Sequence, residues 1–302
     1  MKRRTFLLNT AVLTAGSLLY RQHALAAIFK VKPGNIRMLR ENIGIFTERG
    51  GTIGFLLSKK STIVIDAQFA DTSQHFIADM KERAAAPFTY LFNTHHHRDH
   101  TEGNLSFKGI VEHVVAHENA VANQRTAAEK NNTIDKQLFA DLTFKEEWKL
   151  KGDDVKLRGH YFGPAHTNGD AVYHFENENV IHTGDLMFNK RHPVIDRNAG
   201  ASISNWVRVL DKVIKKGDRE TIYIFGHALN SGEETGSATD LAKFQDYLQK
   251  LLQFAQAEHH RGVTKEEFIK STAIPGVTEW SGQGLERTLT AAYDEVAAVK
   301  QG

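Results

Sequence analysis

The segment 94–100, Thr-His-His-His-Arg-Asp-His, contains the pattern T-H-x-H-x-D-H, whose three motif histidines and one aspartate fall within six residues. Imidazole nitrogen and carboxylate oxygen are the usual protein ligands of divalent metal ions. Because side chains alternate along an extended chain, His95 and His97 are expected to point to the same side. A turn after them would bring Asp99 and His100 to a neighbouring point. The spacing therefore predicts two ligand pairs, one for each of two metals.

Three later residues have ligand side chains in a turn or directly after an apolar run: His166, Asp185 and His227. Loops that follow strands commonly carry functional groups on a rigid sheet. The predicted ligand set is His95, His97 and His166 for the first metal, Asp99, His100 and His227 for the second, and Asp185 bridging both through its two oxygens.

The four motifs T-H-x-H-x-D-H, A-H-T, T-G-D and G-H, in this order across residues 94–227, resemble the metallo-β-lactamase superfamily. The resemblance implies an α/β fold from about residue 35 onward, an αββα sandwich of two mixed β-sheets with helices on the outer faces. It implies a two-metal site at one edge and hydrolysis by a metal-bridging hydroxide. It leaves the substrate open, because one fold hosts many activities.

Within this resemblance, Asp99 is predicted to ligate the second metal and to orient the nucleophile or carry a proton. The two divalent ions are expected to be zinc, with iron or manganese as alternatives. The chain has no cysteine, which excludes disulfides, thiolate ligands and the members that place cysteine on the second metal. An aspartate at position 185 resembles the glyoxalase II and lactonase branches. A small ester, lactone, thioester or amide is therefore the expected substrate, ahead of a β-lactam.

One alternative function stays open on the same fold, a mononuclear iron oxidoreductase similar to the persulfide dioxygenases. A nucleic-acid-processing activity has little support, because the formal net charge of the 302 residues is only +2. The expected partner is therefore a small-molecule substrate. The sequence does not indicate an oligomeric state.

Residues 1–26 have the features of a bacterial export signal. Arg3 and Arg4 precede a modest apolar stretch, and Ala24-Leu25-Ala26 offers a small-x-small cleavage pattern. The Arg-Arg-x-Phe-Leu start resembles a twin-arginine signal. The apolar stretch is shorter than the roughly 20 residues of a membrane span, so stable membrane insertion is not expected. We therefore predict the twin-arginine export machinery as a partner, a catalytic domain at 27–302, and a periplasmic or secreted location.

The loop after Asp185 is expected to overhang the metals. Phe188 is predicted to line the substrate pocket, and Lys190, Arg191 or His192 to hold a substrate carboxylate, with a solvated charge run as the alternative. Asp66, at the end of a strand, is predicted to hold a ligand imidazole by its other nitrogen or else to cap a turn. Six histidines are predicted not to be ligands: His96, His113, His117, His160, His174 and His182.

Strand-like and helical patterns appear in two similar series, which favours two β-sheets face to face with helices outside. Helices are predicted over Asp71 to Ala85, Glu118 to Lys130 and Ile203 to Lys215, and one is expected to begin directly after His100. The stretch Thr143 to Leu150 is predicted to be a single strand. Residues 120–141 are an insert that could cover the pocket.

Overall fold

Two mixed β-sheets face one another in the structure, a computed structural model that describes residues 35–152 and 154–299. The predicted signal segment 1–26 lies outside the described residues. The first sheet contains, in chain order and in spatial order, β1 (Ile36–Met38), β2 (Ile43–Phe46), β3 (Ile53–Leu57), β4 (Thr62–Ile65), β5 (Phe88–Asn93), β6 (Val111–His117) and β7 (Leu142–Phe144). Strands β1 to β4 are antiparallel, and β4 to β7 are parallel.

The remaining strands are β8 (Glu147–Lys151), β9 (Lys156–Tyr161), β10 (Ala171–Phe175), β11 (Val180–His182), β12 (Phe188–Asn189), β13 (Ile222–Ile224), β14 (His227–Ala228) and β15 (Thr235–Gly236). The second sheet has the spatial order β15-β13-β11-β10-β9-β8, while β12 and β14 form a separate parallel pair. Only β11 and β13 are parallel neighbours within the second sheet; its other pairs are antiparallel.

The described α-helices are α1 (Ala70–Arg83), α2 (Arg98–Thr101), α3 (Glu118–Lys130), α4 (Ile203–Ile214), α5 (Ala238–His260), α6 (Lys265–Phe268) and α7 (Leu285–Val299). Short 3₁₀ turns occur at Glu102–Phe107, Ile134–Lys136, Gly184–Leu186 and Arg197–Ala199. Capping residues begin several helices: the Ser237 hydroxyl and the Asp240 carboxylate form a capping box at the start of α5. Within the described residues, no helix combines the length and the apolar character that crossing a membrane requires.

Successive side chains along the strands point to opposite faces of each sheet, so each sheet packs against the other sheet on one face and against helices on its other face. In β4, Ile63 and Ile65 pack between the sheets, whereas Val64 faces outward onto Phe76 and Met80 of α1. Both faces of these central strands are therefore covered, which explains why they are continuous apolar runs rather than half-polar ones.

The second sheet repeats this arrangement. Val180 of β11 lies in the core between the sheets, while Ile181 faces the outer helices and packs with Trp206 of α4. Helices α4, α5 and α7 share this outer core. The αββα sandwich of two mixed sheets with outer helices is thus confirmed, as are the predicted helices at α1, α3 and α4.

Two expectations about local structure were wrong. The predicted strand from Thr143 to Leu150 is two strands, because the chain leaves the first sheet after β7 and enters the second at β8. The predicted helix begins at Arg98, ahead of His100 rather than after it, and continues as a 3₁₀ turn. The insert 120–141 consists mainly of α3, followed by the 3₁₀ turn at Ile134–Lys136.

The ends of parallel strands bring the functional loops together. Strands β4 and β5 run parallel, so Asp66 follows one beside the Thr94 segment that follows the other. Strands β11 and β13 also run parallel, and the Gly226 N–H donates to the Gly184 carbonyl at 2.8 Å. Across the sheets, the Thr52 N–H donates to the Gly226 carbonyl at 2.9 Å. All these loops meet at one edge of the sandwich.

Candidate metal centre

The first predicted ligand group is assembled in the structure. His97 Nδ1 lies 3.1 Å from His95 Nε2 and 2.9 Å from His166 Nε2. Asp185 Oδ2 is 3.5 Å from His166 Nε2 and 3.8 Å from His95 Nε2. One ligand atom from each of these four side chains falls within 4.8 Å of all the others. The β5 loop, the β9–β10 loop and the turn after β11 therefore contribute to a single point.

The outer nitrogen of each imidazole in this group faces an oxygen. His166 Nδ1 donates to the Val194 carbonyl at 2.8 Å, and His97 Nε2 donates to Asp196 Oδ2 at 3.0 Å. His95 Nδ1 lies 3.0 Å from the Thr94 hydroxyl, whose own proton goes to Asp66. These partners place the proton on the outer nitrogen, so the three inner nitrogens present lone pairs to one another. Three converging lone pairs repel unless a cation lies between them.

The second group is closed by shorter contacts to carboxylates. His227 Nε2 lies 3.1 Å from Asp99 Oδ2, and His100 Nε2 lies 3.4 Å from His227 Nε2. The other nitrogen of His100 donates to Asp66 Oδ2 at 2.7 Å. Asp66 is fully buried and also accepts the N–H and hydroxyl of Thr94, each at 2.7 Å. The predicted role of Asp66, to hold a ligand imidazole by its outer nitrogen, is supported by these contacts.

Asp185 lies between the two groups and turns one oxygen toward each. Oδ2 faces the first group, whereas Oδ1 lies 3.0 Å from His100 Nε2 and 3.4 Å from His227 Nε2. The side chain is buried, and Oδ1 accepts no well-directed hydrogen bond among the described residues. A buried carboxylate oxygen needs a positive charge beside it, either a metal ion or a protonated imidazole. The donor set of both groups, imidazole and carboxylate, fits zinc, iron or manganese.

The electrostatics of the metal-free protein differ between the two groups. Burial holds the pKa of His95 well below its ordinary value and lowers the pKa of His166 to about 3, so both rings are neutral. Burial opposes protonation of His100 too, but the surrounding carboxylates, led by Asp185, raise its pKa well above the ordinary value. The pKa of Asp185 is well below its ordinary range, because His227 and His100 outweigh the effect of burial. A metal entering the second group must therefore displace a proton.

Asp196 is a functional residue that the sequence analysis missed. Its Oδ2 holds His97, and its Oδ1 accepts the Ala199 N–H at 3.1 Å as the cap of a 3₁₀ turn. The side chain of His97 lowers the pKa of Asp196 to about 2, so the carboxylate is ionised. Asp196 follows the β12 segment at a distance of 99 residues from His97. No local spacing in the sequence signals such a contact.

Asp196→Asn is expected to weaken metal binding by the first group about 10- to 100-fold. Asparagine has one oxygen, so it can accept from Ala199 or from His97 but not from both. The measurement is competition for zinc against a chelator. Asp141→Asn is a matched control, because Asp141 likewise accepts from a histidine and a backbone N–H, at His113 and Val114, outside both ligand groups. Equal zinc affinity in the two variants would contradict a role of Asp196 in holding His97.

Of the histidines predicted not to be ligands, three have clear partners outside the ligand groups, and one lies beside them. His113 pairs with Asp141, and His117 stacks on Tyr161 with a centroid distance of 3.9 Å. His182 is fully buried; its Nε2 donates to the Thr52 carbonyl at 3.0 Å, and its Nδ1 accepts the Gly184 N–H. The exception is His96, which lies with His97 and Asp196 in a further group of possible ligand atoms.

His182 is expected to make the protein less stable in acid. Burial lowers its pKa to about 4, whereas an unfolded histidine titrates near its model value of 6.5. The unfolded state therefore binds more protons between these values, and the free energy of unfolding falls as pH falls from 6.5 to 4, by up to about 3 kcal/mol. Urea unfolding of metal-free protein at pH 7 and pH 4.5 measures this difference. His182→Gln, which cannot titrate, should lose less stability over that interval; an equal loss would contradict the assignment.

The loop after Asp185 gives its four predicted substrate-contacting residues different surroundings. Phe188 is 1% exposed and stacks on the His227 ring, with 5.4 Å between the ring centroids. His192 is 6% exposed, and its Nδ1 lies 2.9 Å from the Tyr247 hydroxyl. Lys190 pairs with Glu233 at 2.9 Å, and Arg191 is partly exposed. Phe188 thus packs against a candidate ligand, and contact of these four residues with substrate stays a prediction.

A two-sheet sandwich with histidine and aspartate groups at one edge defines this chain as a metal-binding α/β protein. The family model of the metallo-beta-lactamase superfamily matches residues 46–227, more than half of the 302 residues. The chain therefore belongs to the metallo-beta-lactamase superfamily, as its motif order indicates. This superfamily includes hydrolases.

Curated relatives are similar to this chain at low identity. The metallo-beta-lactamase IND-1 of Chryseobacterium indologenes is 24% identical over 177 residues, which are 57% of this chain and 70% of the relative. The hydroxyacylglutathione hydrolase of Bartonella henselae is 27% identical over 195 residues, 65% of this chain and 67% of the relative. A lactamase-like protein of Pestalotiopsis microspora is 24% identical over 66% of this chain, and the match spans only 58% of that relative.

Solved structures share the fold. The crystal structure of the metallo-beta-lactamase IND-7 aligns with a TM-score of 0.59 and 21% identity, covering 73% of this chain and all of that one. A double mutant of the sec-alkyl sulfatase PisA1 aligns with a TM-score of 0.69 and 16% identity, covering 86% of this chain and 50% of that one. At these identities the likeness establishes the architecture alone.

Proposed function

We propose that this protein is a binuclear metallohydrolase that cleaves a small ester, lactone, thioester or amide. The observation that carries the proposal is the position of Asp185, with Oδ2 toward one ligand group and Oδ1 toward the other. A carboxylate in this position can bridge two cations, and two adjacent divalent ions are a common device for hydrolysis. When bound, such ions act as Lewis acids and lower the pKa of water from 15.7 toward about 7.

Asp99 has the geometry to handle the proton of the attacking water. Among the seven predicted ligands its side chain is the most exposed, at 30%, so it faces the solvent side of the site. Burial alone would raise its pKa, but His100 and His227 bring the pKa below the ordinary range. The carboxylate is therefore ionised and available as a hydrogen-bond acceptor. It can orient a water molecule and accept its proton while it also contacts the second group.

The ligand set and the relatives together support the proposed substrate class. This chain has an aspartate at position 185 and contains no cysteine. It therefore differs from the members of the superfamily that place a cysteine ligand on the second metal. Two of the relatives reported above are named for hydrolysis of an acylglutathione thioester and of β-lactams. An activated carbonyl in a small molecule is common to both. We therefore rank thioesters, esters and lactones first, with β-lactams as a further candidate.

Metal content and substrate range test this proposal on one preparation of the protein. Elemental analysis is expected to give about two zinc ions per chain. Hydrolysis is then measured with an acylglutathione thioester, an aryl acetate, a γ-lactone and a cephalosporin. Two metals with cleavage of at least one of these substrates would support the proposal. A single iron ion with oxygen uptake would overturn it in favour of a dioxygenase.

We further propose that the protein is exported in folded form by the twin-arginine route and cleaved after Ala26. Replacing both Arg3 and Arg4 with lysine keeps the positive charge that a general secretory signal needs but removes the paired arginines. The variant is expected to remain as uncleaved precursor in the cytoplasm. Fractionation and intact-mass measurement check this outcome, with Lys2→Arg as the control. Unchanged export of the double variant would contradict the twin-arginine route.

A further inference from the structure

Two acceptors that hold imidazoles of the first ligand group belong to one short segment, residues 193–197, which we call the support segment. His166 Nδ1 donates to the Val194 carbonyl at 2.8 Å, and His97 Nε2 donates to Asp196 Oδ2 at 3.0 Å. The first four residues of the support segment form no helix or strand, so regular secondary structure does not fix its path. Contacts with other elements must therefore fix the positions of both acceptors.

Helix α7 contacts the support segment at two points. The Thr288 hydroxyl donates to the Pro193 carbonyl at 2.8 Å, and the Arg197 guanidinium donates to Glu295 Oε2 at 3.0 Å. Glu295 follows Thr288 by seven residues, which is two turns, or about 10.5 Å, along one face of a helix. Arg197 follows Pro193 by four residues, a span of at most about 14 Å. The two spans agree, so the support segment lies along α7 with both imidazole acceptors between its two contact points.

Glu295 is a buried carboxylate with contacts beyond its pair with Arg197. Only 8% of its side chain is exposed. Its oxygens also accept the N–H groups of Ile203 at 2.7 Å and Ser204 at 2.9 Å, at the start of α4. Burial of a carboxylate is costly unless donors surround it, and a guanidinium and two N–H groups do so here. The carboxylate therefore joins the support segment to both α4 and α7.

Thr288 differs from its neighbour Thr290 in where its hydroxyl points. A helical threonine commonly returns its hydroxyl to the carbonyl four residues earlier, as Thr290 does with Glu286 at 2.8 Å. Thr288 is fully buried and donates to Pro193 instead, outside its own helix. The hydroxyl thus supplies a donor to the support segment rather than to α7.

We propose that Thr288 and Glu295 are positioning residues for the first metal site, because they hold the support segment where its acceptors meet His166 and His97. Displacement of these acceptors would turn both imidazoles away from their common point. The inference rests on the proposed function, in which the first group binds a metal. The family match ends at residue 227, so the inference gives a helix beyond the matched motifs a part in the metal site.

Thr288→Val tests one contact point, because valine keeps the shape of threonine but has no hydroxyl. In competition with a chelator, one of the two zinc ions is expected to bind about three- to tenfold more weakly, as loss of one hydrogen bond predicts, and the other to bind as in the wild type. Thr288→Ser keeps the hydroxyl and should restore the affinity. Thr290→Val is the matched control, since the Thr290 hydroxyl bonds only within α7. Equal zinc affinities in the two valine variants would overturn the proposal.

Proton exchange at the imidazole rings separates positioning from a general loss of stability. In protein labelled with ¹⁵N-histidine, NMR follows the ring N–H protons of His97, His166 and His100, both without metal and with zinc. Glu295→Gln is expected to exchange the first two with solvent at least about threefold faster, because its amide keeps only one acceptor oxygen. The His100 proton, held by Asp66, should exchange at the wild-type rate. Faster exchange at all three rings, or at none, would overturn the proposal.

These measurements also separate the inference from the proposed function. Fewer than two zinc ions in the wild type would contradict the binuclear function alone, and the exchange rates of the metal-free protein would then decide the inference by the same criterion. Two zinc ions and hydrolysis in the wild type, together with wild-type zinc affinity in Thr288→Val, would overturn the inference alone.

Discussion

Asp185→Asn is expected to remove at least one metal from the protein and to lower kcat/KM for hydrolysis by more than about a hundredfold. Loss of a residue that only supports a ligand commonly costs 10- to 100-fold in metal affinity or activity, and Asp185 contacts both groups directly. Asparagine keeps the shape but replaces one oxygen with an amide that donates hydrogen bonds and cannot ligate a cation. Either orientation of the amide therefore leaves one of the two groups without its carboxylate oxygen.

Elemental analysis and steady-state kinetics measure these losses. Asp211→Asn is a suitable control, since Asp211 pairs with Lys215 on the exposed side of α4. The far-UV and near-UV spectra of both variants should match those of the wild type, because the charge that is lost lies within a polar cluster rather than in the core. Full metal content with a wild-type rate in Asp185→Asn would refute the bridging role. Retained metal with a lost rate would assign Asp185 to catalysis instead of metal binding.

The positions of the candidate ligands could be anticipated because each follows a strand. Neighbouring parallel strands end at the same edge of a sheet. A candidate ligand residue directly after β5, β11 or β13 is therefore held near that edge. The glycine of the G-H motif has a physical reason as well. A Cβ at Gly226 would overlap Asp185 Oδ1, so only glycine lets the strand end approach the carboxylate that lies between the two groups.

Contacts between distant segments could not be anticipated in the same way. Asp196 holds His97 through a turn whose path depends on the packing of Ala199 and neighbouring residues, and periodicity carries no information about that path. The sequence pattern predicts one strand in place of β7 and β8, because only two residues separate the two strands. A change of sheet over so short a link leaves the apolar pattern almost unbroken.

The second group depends on a glycine that the sequence alone does not single out, and Gly51→Ala is expected to abolish it. A Cβ at Gly51 would overlap the His100 imidazole, including Nε2, the atom that faces Asp185. Neither side can move away easily. The Gly51 N–H donates to the Asp99 carbonyl at 2.9 Å, the Gly51 carbonyl accepts from Gln68 at 2.7 Å, and His100 is held by Asp66.

The variant should therefore bind one metal per chain instead of two, since the three atoms nearest to a Cβ at Gly51 all belong to His100 and none belongs to the first group. Titration of the metal-free protein with zinc, followed by elemental analysis, distinguishes these stoichiometries. Gly152→Ala is the matched control, because a Cβ at Gly152 would meet nothing within 4 Å. The metal retained by the first group would show that Gly51→Ala has folded, because His166 and Asp185 reach that group only through the packed sheets. Two metals per chain in the variant would mean that His100 is free to shift, and that the close packing of Gly51 does not govern the second group.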